Sequence, residues 1–191
     1  MQNNSPAEHV ATLYRFCAQS MQYPNGDWFN DQYRERLFLL LTTLGGGDQS
    51  LKLKEAFDNS TDLLEDLQVE YTRLFINGVP HVAAPPYGSI YVDKSLRGQY
   101  SDKILHYYNK SGYGLKVGAD LPDSLIHQLE FLSFIVKEQN REGEIEFLTL
   151  FFLPWFPVFA TRVKEEAQHP FYRTIISLID FFTKEEEEYG V

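Results

Sequence analysis

Apolar residues recur three or four positions apart along almost the whole chain. That is the period of an amphipathic helix face, not of a strand. Val10, Leu13, Tyr14, Cys17 and Met21 make the first stripe, and Trp28, Tyr33, Leu37, Leu40, Leu41 and Leu44 the second. Leu63, Leu64, Leu67, Tyr71, Leu74 and Phe75 make a third, Ile104, Leu105 and Tyr108 a fourth. Leu125, Leu129, Leu132, Ile135 and Val136 follow, and Phe171, Ile175, Leu178, Ile179 and Phe182 close the series. No stretch sustains period-two alternation between hairpin turns, and Ser89-Ile90-Tyr91-Val92 is the one strand-like fragment. The pattern predicts an all-α, single globular domain over residues 1–191, with roughly eight to ten helices.

Punctuation supports this reading. Ser5-Pro6-Ala7-Glu8 carries an N-cap, a first-turn proline and a capping box. Tyr23-Pro24-Asn25-Gly26 ends that helix, and Asp27 is the expected cap of the next. Gly45-Gly46-Gly47 stops the second helix, and a shorter one is expected over residues 49–58. Asn59-Ser60-Thr61-Asp62 offers a further cap, and Leu121-Pro122-Asp123 is expected to open a helix with Asp123 in its first turn. Pro154 and Pro157 interrupt the apolar stretch 147–160. Pro170 opens the last helix, which runs into the acidic residues Glu185 to Glu188, read as a solvated face.

Charge narrows the partners. There are 17 Lys plus Arg against 27 Asp plus Glu, a net charge of −10. This argues against nucleic acid and anionic lipid, and suits a basic partner. Cys17 is the one cysteine, so no intrachain disulfide or multi-cysteine metal site is possible. No basic-then-apolar start predicts a signal peptide, and no apolar run reaches the roughly 18–20 residues of a membrane span. The expectation is a cytoplasmic chain without stable membrane insertion.

Catalytic chemistry is not written into the sequence. His9, His81, His106, His127 and His169 are scattered and form no HExxH pair or His-Cys cluster. No phosphate loop and no GxSxG elbow occurs. Cys17 lies on an apolar stripe and reads as a packed thiol. The expectation is a protein with no catalytic residue, no metal and no cofactor.

One segment breaks the helical pattern. Residues 77–89 contain Gly78, Pro80, Pro85, Pro86 and Gly88, which no helix interior accommodates. The segment is too apolar for a solvated linker, and its prolines restrict the backbone. Tyr71, Tyr87 and Tyr91 flank it. Aromatics on a fixed loop suit peptide binding. The alternative is that Pro85-Pro86-Tyr87 does no more than cover the helical core.

These residues resemble a known family. Glu70-Tyr71-Thr72-Arg73-Leu74-Phe75 followed by Ala84-Pro85-Pro86-Tyr87-Gly88-Ser89-Ile90-Tyr91 is similar to the signature of the TorD/DmsD/NarJ-type redox-enzyme maturation chaperones. Leu96-Arg97-Gly98, Leu121-Pro122-Asp123-Ser124-Leu125, Gln128-Leu129-Glu130-Phe131-Leu132, the stretch from Leu153 to Phe159 and Phe171-Tyr172 resemble later elements in the same order. Two positions depart from the family: Ser124 and Phe151 stand where histidine is usual. The resemblance implies a cytoplasmic chaperone, not an enzyme. Its partner would be the catalytic subunit of a molybdopterin-dependent oxidoreductase and the subunit's twin-arginine leader, held until maturation precedes export. It implies a peptide site lined by Tyr71, Pro86, Tyr87, Gly98, Asp123 and Ser124, in a monomer or homodimer. The competing reading is a general α-helical peptide-binding or regulatory domain with a different client.

Overall fold

The capping box at the start of the chain forms as its residues dictate: Ser5 Oγ accepts from Glu8 N at 3.2 Å while Ser5 N donates to Glu8 Oε2 at 2.8 Å. In the computed structural model, which describes residues 5–79 and 81–188 with the side chains of 185–188 excepted, this cap opens α1 (Pro6–Ser20). The solvated-face reading of Glu185 to Glu188 and the placement of Pro80 therefore lie outside the described residues. Next come α2 (Asp31–Thr43), α3 (Gly47–Asp58), α4 (Leu63–Tyr71), the single-turn α5 (Gly88–Val92) and α6 (Gln99–Lys110). Then follow α7 (Leu125–Lys137), α8 (Arg141–Phe147), α9 (Phe156–Glu166) and α10 (Pro170–Glu188). The ten α-helices meet the all-α expectation, and no strand is formed among the described residues.

Four local expectations change. Asn30, not Asp27, caps α2, because Asn25 Oδ1 takes the Asp27 and Trp28 amides into a turn and delays the helix. The third helix starts at Gly47, earlier than expected, with Gly45 alone supplying the left-handed break at φ +77°. Ser89-Ile90-Tyr91-Val92 is helical, not extended, because Asp123 Oδ2 accepts from Ser89 N at 2.7 Å at the start of α5. Ser124 is the N-cap of α7, its Oγ accepting from His127 N at 3.3 Å, so Asp123 precedes the helix.

Two helices end in widened π turns, Thr72–Ile76 after α4 and Leu148–Phe152 after α8. Such turns are often found at functional places. The first delivers the chain into the proline segment, where Ala84 N donates to Leu74 O at 2.9 Å. The second, with Pro154 behind it, bends the chain by 61° into α9. No single helix among the described residues is long and apolar enough to cross a membrane.

The core is continuous from Ala11 to Ile179. Its largest fully buried side chains include Trp155, Tyr108, Phe131, Phe147 and Phe159, so Trp155 and Phe159 belong to packing. Helix α1 lies on α7, where Ser133 Oγ donates to Ala11 O at 2.7 Å. Cys17 is buried in the same layer, and burial pushes its thiol up to about 12, which leaves it inert.

The Glu70-to-Phe75 motif is a clasp. Glu70 is only 5% exposed. It accepts from Arg73 Nε at 2.9 Å and Nη2 at 3.2 Å, and from the Gln168 and His169 amides across the chain. Arg73 Nη2 continues to Glu166 O at 2.6 Å, tying α4 to the joint between α9 and α10. Tyr172 Oη donates to Leu67 O at 2.9 Å beside it. Burial alone raises the Glu70 carboxyl, but the Arg73 hydrogen bond and the two amides outweigh it and hold it below the ordinary value of 4.5.

Because this folded pKa is depressed, its contribution is present above the unfolded value of 4.5 and is lost as pH falls through the folded value. Glu70→Gln is therefore expected to lose about 2 kcal/mol at neutral pH, with the gap to the parent closing below pH 4.5 in chemical denaturation. A second expectation concerns Gly88, where an added Cβ would stand 2.6 Å from Tyr100 Cε1 and 3.1 Å from Trp155 Nε1. Gly88→Ala should cost about 2 kcal/mol, read as a lowered thermal midpoint.

Candidate functional site

The proline segment is fixed to the start of α7 through its backbone. Leu125 N donates to Pro86 O at 2.9 Å, and Gly88 N donates to Asp123 O at 3.0 Å. Tyr87 and Ser124 thus face each other in an isolated antiparallel bridge. Proline at 85 and 86 limits the conformations the segment can escape to. Gln128 Nε2 donates to the same Asp123 O at 2.9 Å, and Gln128 Oε1 accepts from Trp155 Nε1 at 3.3 Å. The seam is therefore rooted in the core.

Asp123 lies under this seam and is 0% exposed. Its Oδ2 holds Ser89 N, and its Oδ1 has no hydrogen-bond partner among the described residues. The carboxylate on the surface is instead Asp120. Tyr87 Oη donates to Asp120 Oδ2 at 2.8 Å, and Leu121 N donates to Asp120 Oδ1 at 2.7 Å. Each oxygen keeps free lone-pair capacity toward solvent. Burial, then the Asp120 hydrogen bond, raises the Tyr87 hydroxyl above its usual range, so it stays a donor. Tyr71 lies in the same field: burial and then Asp120 push its hydroxyl up to about 12.

The structure brings Pro86, Tyr87, Asp123 and Ser124 together, with Tyr71 within electrostatic reach of Asp120. Tyr71 is itself mostly packed, its hydroxyl donating to Met21 O at 3.0 Å and its ring meeting the exposed Tyr23 edge-on. Gly98 belongs to a neighbouring turn: it is the N-cap of α6, and a Cβ there would collide with the Asp93 carboxylate. Asp93 Oδ2 accepts from Tyr100 N at 2.8 Å, which explains why the turn needs a glycine. Tyr91 faces inward, stacked on Trp155 at 5.7 Å, with the Arg162 guanidinium 5.1 Å over its ring.

Of the two departures from family usage, Ser124 serves as a helix cap, and Phe151 packs against Tyr107 at 5.2 Å. The Phe151 carbonyl accepts from the Tyr100 hydroxyl and from Trp155 Nε1. Among the described residues no three His, Cys, Asp or Glu side chains gather as a metal site. Sequence reasoning missed Asp120. The available signal was a second acidic residue three positions before Asp123, in a glycine-punctuated loop ahead of a helix.

Comparison with known proteins identifies the family. The family model for the nitrate reductase delta subunit matches residues 44–161, which include Glu70 to Phe75, the proline segment and α7. The chaperone protein TorD of Photobacterium profundum is 26% identical over 175 residues, covering 80% of each chain. The Tat proofreading chaperone DmsD of Salmonella typhi is 29% identical over 114 residues, covering 58% of this chain and 55% of its own. A crystal structure from Archaeoglobus fulgidus, described as a redox enzyme maturation protein, superposes with a TM-score of 0.60 at 26% identity, over 99% of this chain and 96% of its own. The chain belongs to the nitrate reductase delta subunit family, and within it to the TorD-, DmsD- and NarJ-type chaperones of redox-enzyme maturation.

Proposed function

We propose that this chaperone binds the twin-arginine leader of a molybdenum-cofactor oxidoreductase subunit, with or without the subunit's body, in the cytoplasm before export. Binding and release, rather than catalysis, would be its work. The continuous core supports residues 1–191 acting as one helical domain.

The observation that carries the reading is the exposed Asp120 carboxylate, held by the Tyr87 hydroxyl at 2.8 Å beside a proline-fixed segment. A leader of this class presents two guanidinium groups and then an apolar stretch. Arginine pairs best with a carboxylate whose geometry is already set. Tyr87 and the Leu121 amide set it here. Pro86 and Tyr87 offer half-buried apolar surface for the residues after the arginines, and Tyr71 lies within electrostatic reach of Tyr87 and Asp120. Asp123 and Ser124 take the positioning role: one ties Ser89, the other starts α7, and together they fix where Tyr87 and Asp120 stand. Gly98 contributes through the Asp93 turn that seats Tyr100 against Gly88.

A synthetic leader containing Arg-Arg and an apolar stretch is expected to bind with micromolar affinity in calorimetry, and Asp120→Asn to weaken it by about tenfold. Asp123→Asn should lower affinity and thermal midpoint together, whereas Asp120→Asn should leave the midpoint unchanged. Failure of twin-arginine leaders to bind, with capture of an unrelated helical peptide instead, would favour the general peptide-binding reading.

A further inference from the structure

The loop that carries Asp120 also lines a groove of about 720 Å³, which runs between α1, α7 and residues 113–119. Its charge is opposite to that of the molecule. Arg15, Lys116 and Lys137 line it against the one carboxylate of Glu130, in a chain of net charge −10. All three cations are exposed, and among the described residues none of them has an ionic or hydrogen-bonded partner. Glu130 is already engaged, its Oε2 lying 3.1 Å from His127 Nδ1.

We infer that this groove is a docking site for a short acidic peptide stretch of a protein partner. Charge complementarity selects an anion, and the length of the groove selects a peptide. The α7 residues that line it run from His127 to Lys137, about 15 Å of helix axis. One phosphate group is far too small to engage both ends, whereas four or five extended residues, at about 3.3 Å each, fill the distance. The wall contributed by α1 carries the Gln19 and Gln22 amides, which can both donate to and accept from a peptide backbone. In the same groove, Phe134 and Tyr113 pack ring against ring at 5.3 Å and leave a half-buried apolar step for one non-polar side chain. A twin-arginine leader would be repelled here, so this site does not rest on the reading given to Asp120.

The test uses the full chain and the blocked pentapeptide Asp-Glu-Leu-Asp-Glu, with its Asn/Gln counterpart as the uncharged probe. Saturable binding with a Kd below about 1 mM, weakened by salt and absent for the uncharged probe, is expected. The combined variant Arg15→Gln, Lys116→Gln, Lys137→Gln should lose at least about tenfold in affinity while keeping its leader binding. A control variant with the same charge change elsewhere, Arg36→Gln, Lys52→Gln, Lys103→Gln, should bind as the parent does. Equal loss in both variants, no saturable binding, or tighter binding of ATP or inorganic phosphate than of the peptide would each overturn the assignment.

Discussion

The arrangement of this molecule depends on one short backbone seam. Leu125 N to Pro86 O and Gly88 N to Asp123 O join an irregular segment to the start of a buried helix. Two peptide hydrogen bonds alone contribute only about 1 kcal/mol each. They persist here because the groups around them have nowhere else to go. The prolines limit the segment, the Asp123 carboxylate takes the Ser89 amide, and the Gly88 backbone lies directly against Tyr100 and Trp155. Loss of the seam would strand buried polar groups, which costs more than the bonds themselves contribute.

Function grows from that constraint outward. The seam places Tyr87 opposite Ser124, and the same strand of chain that leads into Ser124 carries Asp120 back to the Tyr87 hydroxyl. The clasp of Glu70 and Arg73 acts at a distance from this point, holding α4 against the joint before α10 and so fixing where the proline segment departs. Two acidic residues of the family-like elements are thus consumed by structure, Glu70 by Arg73 and Asp123 by Ser89. On the proposed reading the ligand-facing carboxylate is Asp120, which no motif marked.

That division explains what could be read in the sequence. Helix existence was legible, because the apolar period survives every local irregularity, and the Ser5 cap and the Pro170 start follow from chemistry within a few residues. The irregular course of the proline segment was legible for the same reason. What the sequence concealed was long-range. Ser89 to Val92 reads as a strand by composition, and only an anchor 34 residues away makes it a helical turn. Asp123 reads as a first-turn charge, yet the neighbouring Ser124 caps the helix and leaves Asp123 turned inward. Asp120 is an ordinary loop residue until Tyr87, 33 positions earlier, reaches it.

The central claim is that the seam and its Tyr87–Asp120 edge form the ligand face. Amide hydrogen exchange of the full chain, with and without a saturating twin-arginine leader, tests it most directly. Slowed exchange concentrated in residues 86–92 and 119–125 is the predicted result. Unchanged exchange in both segments, with protection confined to other helices, would contradict the account.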